Sequence, residues 1–411
     1  MNIFSKTIKL SVLIILTSVI SLNAQNVSKR DQLLGQLGDR VITTAVPFLL
    51  IAPDARSGAM GDAGVASTPD VHSMHWNPAK YAFIEKDMGI SISYSPWLRE
   101  LVNDINLAYV SGYKKIDKQS ALGASLLYFS LGDITFTDVV GNSLGNYRPS
   151  EFAFDLTYSR KLSDVFSGAI AARYINSNLT QGQIVGGQES HAGQSIAADV
   201  AFYYQKPVKI DNMKGNMAFG VNISNLGAKI SYTETTERDF IPTNLRVGSA
   251  LTLNIDDYNK VSFLLDFNKL LVPTPPVYDL DSLDNPLYGP DGKRIILAGK
   301  DPNVGIVTGL FQSFSDAPGG FEEELREITY SIGTEYWYDN QFAIRAGYFH
   351  ESKYKGNRQY FTLGAGLKYN VFGLDFAYLI PTEQRNPLQN TLRFTLTFDF
   401  DAFKQQNQTT K

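Results

Sequence analysis

Three stretches of this 411-residue chain carry residue types at spacings that could do chemistry. In the run Gly58 to Gly64 (GAMGDAG) the glycines could let backbone N–H groups cradle a phosphate, as Gly-rich loops do between a strand and a helix. No Lys-Ser or Lys-Thr pair follows and no strand-to-helix pattern frames the run, so it reads instead as a knot of turns. His72 and His75 have the spacing of paired imidazole ligands, but two imidazoles alone rarely hold zinc, and no metal site is expected. Gly141-Asn142-Ser143-Leu144-Gly145 matches a nucleophile elbow in letters; it lacks the strand-turn-helix that strains such a serine. No catalytic residue and no cofactor follow from these stretches.

Whatever the chain does must therefore be positioned by its larger pattern. Hydrophobic residues make up 44% of it and charged ones only 19%, with 25 Phe, 22 Tyr and 33 Gly. These are the residues of aromatic girdles, strand faces and tight corners. Beyond the first 24 residues no apolar run reaches the roughly 20 that a spanning helix needs, which excludes a polytopic helical membrane protein. The net charge of −4 gives no footprint for nucleic acid, and the absence of Cys removes disulfides and thiolate metal sites.

From residue 87 to residue 400 the hydrophobic period is two. In the last run, Leu392, Phe394, Leu396, Phe398 and Phe400 alternate with Thr391, Arg393, Thr395, Thr397 and Asp399. Similar runs begin near 88, 105, 119, 151, 166, 194, 216, 243, 260, 329, 342, 359 and 371. The expected fold is all-β, a membrane β-barrel of about 14 antiparallel strands. The links support this. Short ones (114–118, 163–165, 255–259, 339–341 and 370, with a somewhat longer 205–215) alternate with long ones (132–150, 178–193, 226–242, 269–328, 351–358 and 380–389). Outer-membrane barrels sort their links into short periplasmic turns and long extracellular loops. A soluble β-sandwich, whose strands also alternate, has no reason to do so.

Lys6 and Lys9 before the apolar run 10–20, and Leu22-Asn23-Ala24 before Gln25, make residues 1–24 a secretory signal peptide cleaved after Ala24. Residues 25–86 are then expected to form a plug inside the 87–400 barrel, followed by a polar tail, 401–411. Pro53, Asp54, Gly58, Gly61, Gly64, Trp76, Asn77 and Pro78 mark the plug, with Asn77 closing a turn and Pro78 holding it extended. The non-lipid face of the strands carries charges of both signs: Asp155, Arg173, Asp199, Arg246, Asp266, Glu335, Arg345, Lys368, Asp375 and Arg393. Mixed signs on one wall predict a salt-bridged interior packed around the plug rather than a selective pore. In the 269–328 link, Asn303 is expected to cap a short helix with Val304, Val307, Leu310, Phe311 and Phe314 on one apolar side. A second helix should span 321–328, starting at Phe321. Together they would form either a lid on the barrel's mouth or a surface for a ligand or partner.

The stretch PDARSGAMGDAGVAS followed by WNPA resembles the N-terminal signature of the PorV family of the type IX secretion system, and its NPA element is similar to that of FadL-like barrels. SFSDAPGGFEEELREI resembles the same family. The resemblance implies an outer-membrane protein that accompanies a SprA-like translocon, receives exported proteins through their C-terminal signal domains, and delivers them to a PorU-like sortase, without chemistry of its own. Two other classes stay open: a FadL-like channel for fatty acids or other hydrophobic compounds, and a surface esterase acting on lipopolysaccharide.

Overall fold

Strict alternation gives a strand two faces with different surroundings, and joining such strands edge to edge in a ring leaves no unpaired backbone in lipid. The computed structural model describes residues 40–400, apart from 100, 101, 103, 138–139, 186–187, 235–237, 282–284 and 384–385. The expected signal peptide, residues 25–39 of the expected plug, and the polar tail lie outside the described residues. Fourteen strands close into one antiparallel barrel. They are β1 (Met88–Pro96), β2 (Asn106–Lys115), β3 (Ser120–Ser130), β4 (Ser150–Lys161), β5 (Phe166–Asn178), β6 (Gly193–Ile210) and β7 (Met213–Gly227). The ring continues through β8 (Asn244–Asn254), β9 (Asn259–Leu270), β10 (Thr329–Tyr338), β11 (Phe342–His350), β12 (Gln359–Tyr369), β13 (Phe372–Pro381) and β14 (Leu392–Asp399). Pairing of β1 with β14, from Gly89 opposite Asp399 to Tyr94 opposite Phe394, completes it.

Along β1 the outward Ile90, Ile92 and Tyr94 are exposed while the inward Ser91, Ser93 and Ser95 are buried. Aromatic pairs band the outer face near both rims: Phe152 with Tyr174 at the long-loop end, Phe166 stacked on Phe202 at 5.8 Å at the other. The links alternate as expected, with one correction. The 205–215 link is a tight turn, because β6 and β7 run on as a paired ribbon until Ile210 meets Met213. Beyond Tyr204 the ribbon's β6 edge has left β5, so Pro207, which cannot donate to a ladder, sits on a free edge. Among the described residues, three short strand pairs within the long loops, 134–137 with 143–147, 184–185 with 188–189 and 277–278 with 296–298, were not legible in the alternation.

The segment before β1 threads the barrel from the long-loop end, where Ala45 N–H bonds Phe240 O, to the short-turn end, where Lys115 N–H bonds Asp87 O. Pro and Gly hold it to one-turn helices at Ala55–Gly58 and Ser73–Trp76 and 3-10 turns at Pro47–Leu50 and Pro78–Phe83. The wall makes room for its backbone with glycine. Gly61 adopts φ +70°, where a Cβ would fall 2.7 Å from the Tyr348 backbone, and a Cβ on Gly347 of β11 would collide with Gly61 N. Gly347→Val should therefore displace the inner segment and leave the strand ladder intact. The variant is expected to keep its heat-dependent shift in SDS mobility while conductance in planar bilayers rises several-fold. A Gly347→Val barrel that conducts no more than the unmodified one would show that the segment does not seal the lumen.

Candidate functional site

Inside the barrel the inner segment has too little secondary structure to satisfy its own backbone, and every buried N–H and C=O needs a partner. The wall supplies them. Thr395 Oγ1 accepts from Ala55 N at 2.9 Å, Thr362 Oγ1 from Gly61 N at 2.8 Å, and Asp266 Oδ2 from both Gly64 N and Val65 N at 2.7 and 2.9 Å. Ser167 Oγ donates to Ala79 O and Asn222 Nδ2 to Trp76 O.

All eight residues singled out for the plug are buried in this segment. Asp54 caps the Ser57 N–H and accepts from Trp76 Nε1 at 2.6 Å, which ties the Gly-rich run to the WNPA run. Asn77 is extended at φ −165°, and its Oδ1 accepts from Ala79 N. Its Nδ2 donates across to Val65 O and to Phe202 O of β6, so it staples segment to wall. Pro78 opens a 3-10 turn between Asn77 and the first strand.

Nine of the ten wall charges resolve into three kinds of partnership. Arg173 lies between Asp155 and Asp199, and Arg345 between Glu335 at 2.7 Å and Asp375 at 2.6 Å, as buried ion triads of the wall itself. Arg393 and Glu335 reach the inner segment, pairing with Asp62 and Arg56 at 2.7 Å each. Among the described residues Asp266 and Arg246 form no ion pair. Asp266 accepts the two backbone N–H bonds, whereas Arg246 donates to His75 O at 2.9 Å and lies 5.0 Å over the Trp76 ring. At these two positions backbone and ring dipoles take the place of counter-ions in an interior expected to be salt-bridged. Lys368 faces the open short-turn end instead of the packed lumen. Asp62, Arg56 and Asp70, missed in the sequence, complete this network from the segment's side. Their stretch has no period, so no face could be assigned to them. Among the described residues no group of three or more His, Asp and Glu is placed to hold a metal.

The second arrangement is at the mouth. Helix α1 (Ile306–Gln312) and helix α2 (Phe321–Arg326) are joined by a turn with Gly320 at φ +69°. Asn303 is not the cap: Gly305 occupies that position and no side chain caps α1. The apolar side is also the reverse of a lid's. Gly309 and Ser313 face inward, with Gly309 against Phe240, while Phe311 is 70%, Phe314 49% and Phe321 77% exposed. Leu310 is half-buried, on the border between the two sides.

What anchors the helices is a buried polar hub, unmarked in the sequence because charges in a long loop read as solvated. Glu327 accepts from Lys269 Nζ, Lys355 Nζ and Thr274 Oγ1 at 2.8, 2.8 and 2.7 Å. Glu324 also holds Lys269 and accepts from Ala317 N. Glu323 takes Lys355 and a two-pronged bond from Arg40. Burial pushes the Glu323 carboxyl up, but the Arg40 and Lys355 bonds outweigh it and hold it at about 2. Asp316 is the opposite case. Burial, together with the Glu324 and Glu327 charges, pushes it up to about 6 against a bond from Thr274 N.

Residues 35–277 match the family model described as type IX secretion system protein PorV. The match ends before the mouth helices. No curated protein matches the sequence. Among solved structures, the Pseudomonas putida toluene transporter TodX is similar at 12% identity and TM-score 0.47, covering 84% of this chain and 98% of its own. The CymD monoaromatic hydrocarbon channel gives 14% and 0.42 over 85% and 96%. A Pseudomonas aeruginosa FadL homologue gives 12% and 0.39 over 88% and 100%.

Removing one cation from the hub strands buried carboxylates, a loss of about 3–5 kcal/mol. Lys355→Met is expected to speed proteolysis within 271–328 by roughly tenfold or more, with the barrel still heat-modifiable. Asp316 gives the loop a pH dependence. Its raised pKa contributes stability that is fully present below about pH 4 and is lost as pH rises through 6. Loop proteolysis should therefore increase between about pH 5 and 7, and Asp316→Asn should flatten that step. The depressed Glu323 contributes stability above about pH 4.3 that is lost only as pH falls toward 2.

Proposed function

The chain belongs to the PorV family of type IX secretion system proteins, an outer-membrane β-barrel, and from that premise we propose that its mouth binds exported proteins carrying a C-terminal signal domain. In this reading it accompanies a SprA-like translocon and hands cargo to a PorU-like sortase at the cell surface, after residues 1–24 have been removed on export. The observation that carries the proposal is the inverted pair of mouth helices, with Phe311, Phe314 and Phe321 presented outward on a loop clamped from beneath by buried ion pairs. Aromatics held rigid in this way lose little conformational entropy on binding. Large apolar side chains exposed together as a patch mark an interaction surface.

A lid would turn these residues down onto the rim and its charges out, and the helices do the reverse. A FadL-like channel for apolar compounds would need a route past the inner segment, which is bonded to the wall from β2 round to β14. Phe311→Asp with Phe314→Asp separates the readings, since each such aromatic commonly supplies about 2 kcal/mol at a binding hot spot. With the barrel at normal abundance, the double variant should strand exported proteins in the periplasm. Normal secretion with reduced uptake of an apolar nutrient would favour the channel, and normal behaviour in both assays would remove these helices from function.

A further inference from the structure

At the end of the barrel opposite the mouth helices, the described residues of the inner segment stop short of the rim and, among the described residues, leave a vestibule of about 670 Å³ open on the short-turn side. Its lining carries charges of both signs, with Asp70, Glu85, Asp375 and Asp399 among them, and three cations gather on one ring. Lys368 Nζ lies 4.7 Å, Arg345 Cζ 5.3 Å and Lys260 Nζ 6.0 Å from the centre of Trp337. The arginine is already spoken for: Arg345 is held between Glu335 and Asp375, and nearby Arg56 between Glu335 and Asp70. The lysines are not. Lys260 Nζ donates to the neutral Asn340 Oδ1 at 2.9 Å, and among the described residues neither Lys260 nor Lys368 has a carboxylate within 4.0 Å.

The ceiling and sides add polar side chains with unused hydrogen-bonding capacity. His72, 2% exposed, lines the vestibule with neither ring nitrogen hydrogen-bonded among the described residues, and its nearest carboxylate, Asp70, stands at 3.8 Å. Asn216 donates to Gln205 Oε1, while its own Oδ1 accepts nothing among the described residues. Asn340 and Gln341 complete a set of amide side chains around the rim.

We propose that this vestibule binds the carboxylate end of an extended peptide segment presented from the short-turn side. Lys260 and Lys368 take the carboxylate, a peptide side chain rests on the Trp337 shelf, and the amide groups pair with the peptide backbone. Amide side chains carry a donor and an acceptor each, which matches alternating peptide N–H and C=O groups. A phosphate would be better served by free guanidinium forks, and here both forks are engaged by carboxylates. The volume lies within the range of pre-formed binding pockets, and capture of a chain-terminal carboxylate is an established mode of peptide recognition.

Trp337 is one of three tryptophans, with Trp76 and Trp97, so the site carries its own reporter. The test titrates the full barrel in detergent with a randomised hexapeptide pool bearing a free carboxylate, with the same pool amidated, and with inorganic phosphate. Tryptophan emission should change saturably with the free acid, and a Trp337→Phe barrel should lose that change. Amidation, or Lys260→Gln with Lys368→Gln, should weaken binding at least tenfold, and phosphate should not compete. Equal binding of acid and amide, effective competition by phosphate, or no saturation in the millimolar range would each overturn the proposal. Comparing acid with amide on the unmodified barrel keeps the test decisive even if the lysine variants fold poorly.

Discussion

The structure depends on one constraint: in lipid and in a packed lumen there is no water to satisfy a peptide group. The strands meet it by closing, with β1 paired to β14 so that no edge remains. The inner segment cannot meet it that way, because proline and glycine deny it a ladder or a long helix. It borrows its partners from the wall instead, and this decides which side chains the wall carries. Ser, Thr, Asn and Asp face inward where the segment's N–H and C=O groups lie, as Thr362, Thr395, Asp266 and Asn222 show. Removing the segment would orphan both sets of groups, so barrel and segment form one hydrogen-bonded unit.

The same logic explains the mixed charges of the lumen. An isolated buried charge is very costly, and a buried pair roughly offsets its own desolvation. Arg173 and Arg345 are therefore each shared between two wall carboxylates. The charges left over are met by the segment, either with a counter-ion, as Asp62 serves Arg393, or with dipoles, as the Gly64 and Val65 N–H groups serve Asp266. The register between neighbouring wall strands is held with them, since a slip of one residue would turn a strand's inward charges toward lipid.

At the mouth, polar contacts replace apolar ones as the anchor. A loop of nearly sixty residues could have been held by burying its phenylalanines. Instead three glutamates and two lysines take the inside, Arg40 reaches in from the segment, and the phenylalanines are left in water. Such an arrangement fixes the geometry of the apolar patch without consuming it. It also links the loop to the rim of β9 through Lys269 and to the 351–358 loop through Lys355, so the helices move with the barrel rather than apart from it.

Read alone, the sequence determined the fourteen strands, their facing, the alternation of short and long links, and the ten inward charges, because a period of two survives wherever a wall separates two environments. It also determined that residues 47–83 could hold no long helix or strand, since Gly and Pro act locally. Tertiary structure alone decided who bonds to whom: that Asp266 serves backbone rather than a cation, that β6 and β7 extend as a ribbon, and that Arg56, Asp62 and Asp70 belong to the charge network. It alone decided the sense of the mouth helices. Helical spacing puts Val307, Phe311 and Phe314 on one side, but whether that side faces the barrel or the water depends on Lys269, Lys355 and Arg40. The last two lie 28 and 283 residues from their glutamate partners. Local periodicity carries no record of such contacts, because they are set by chain closure and not by neighbouring residues.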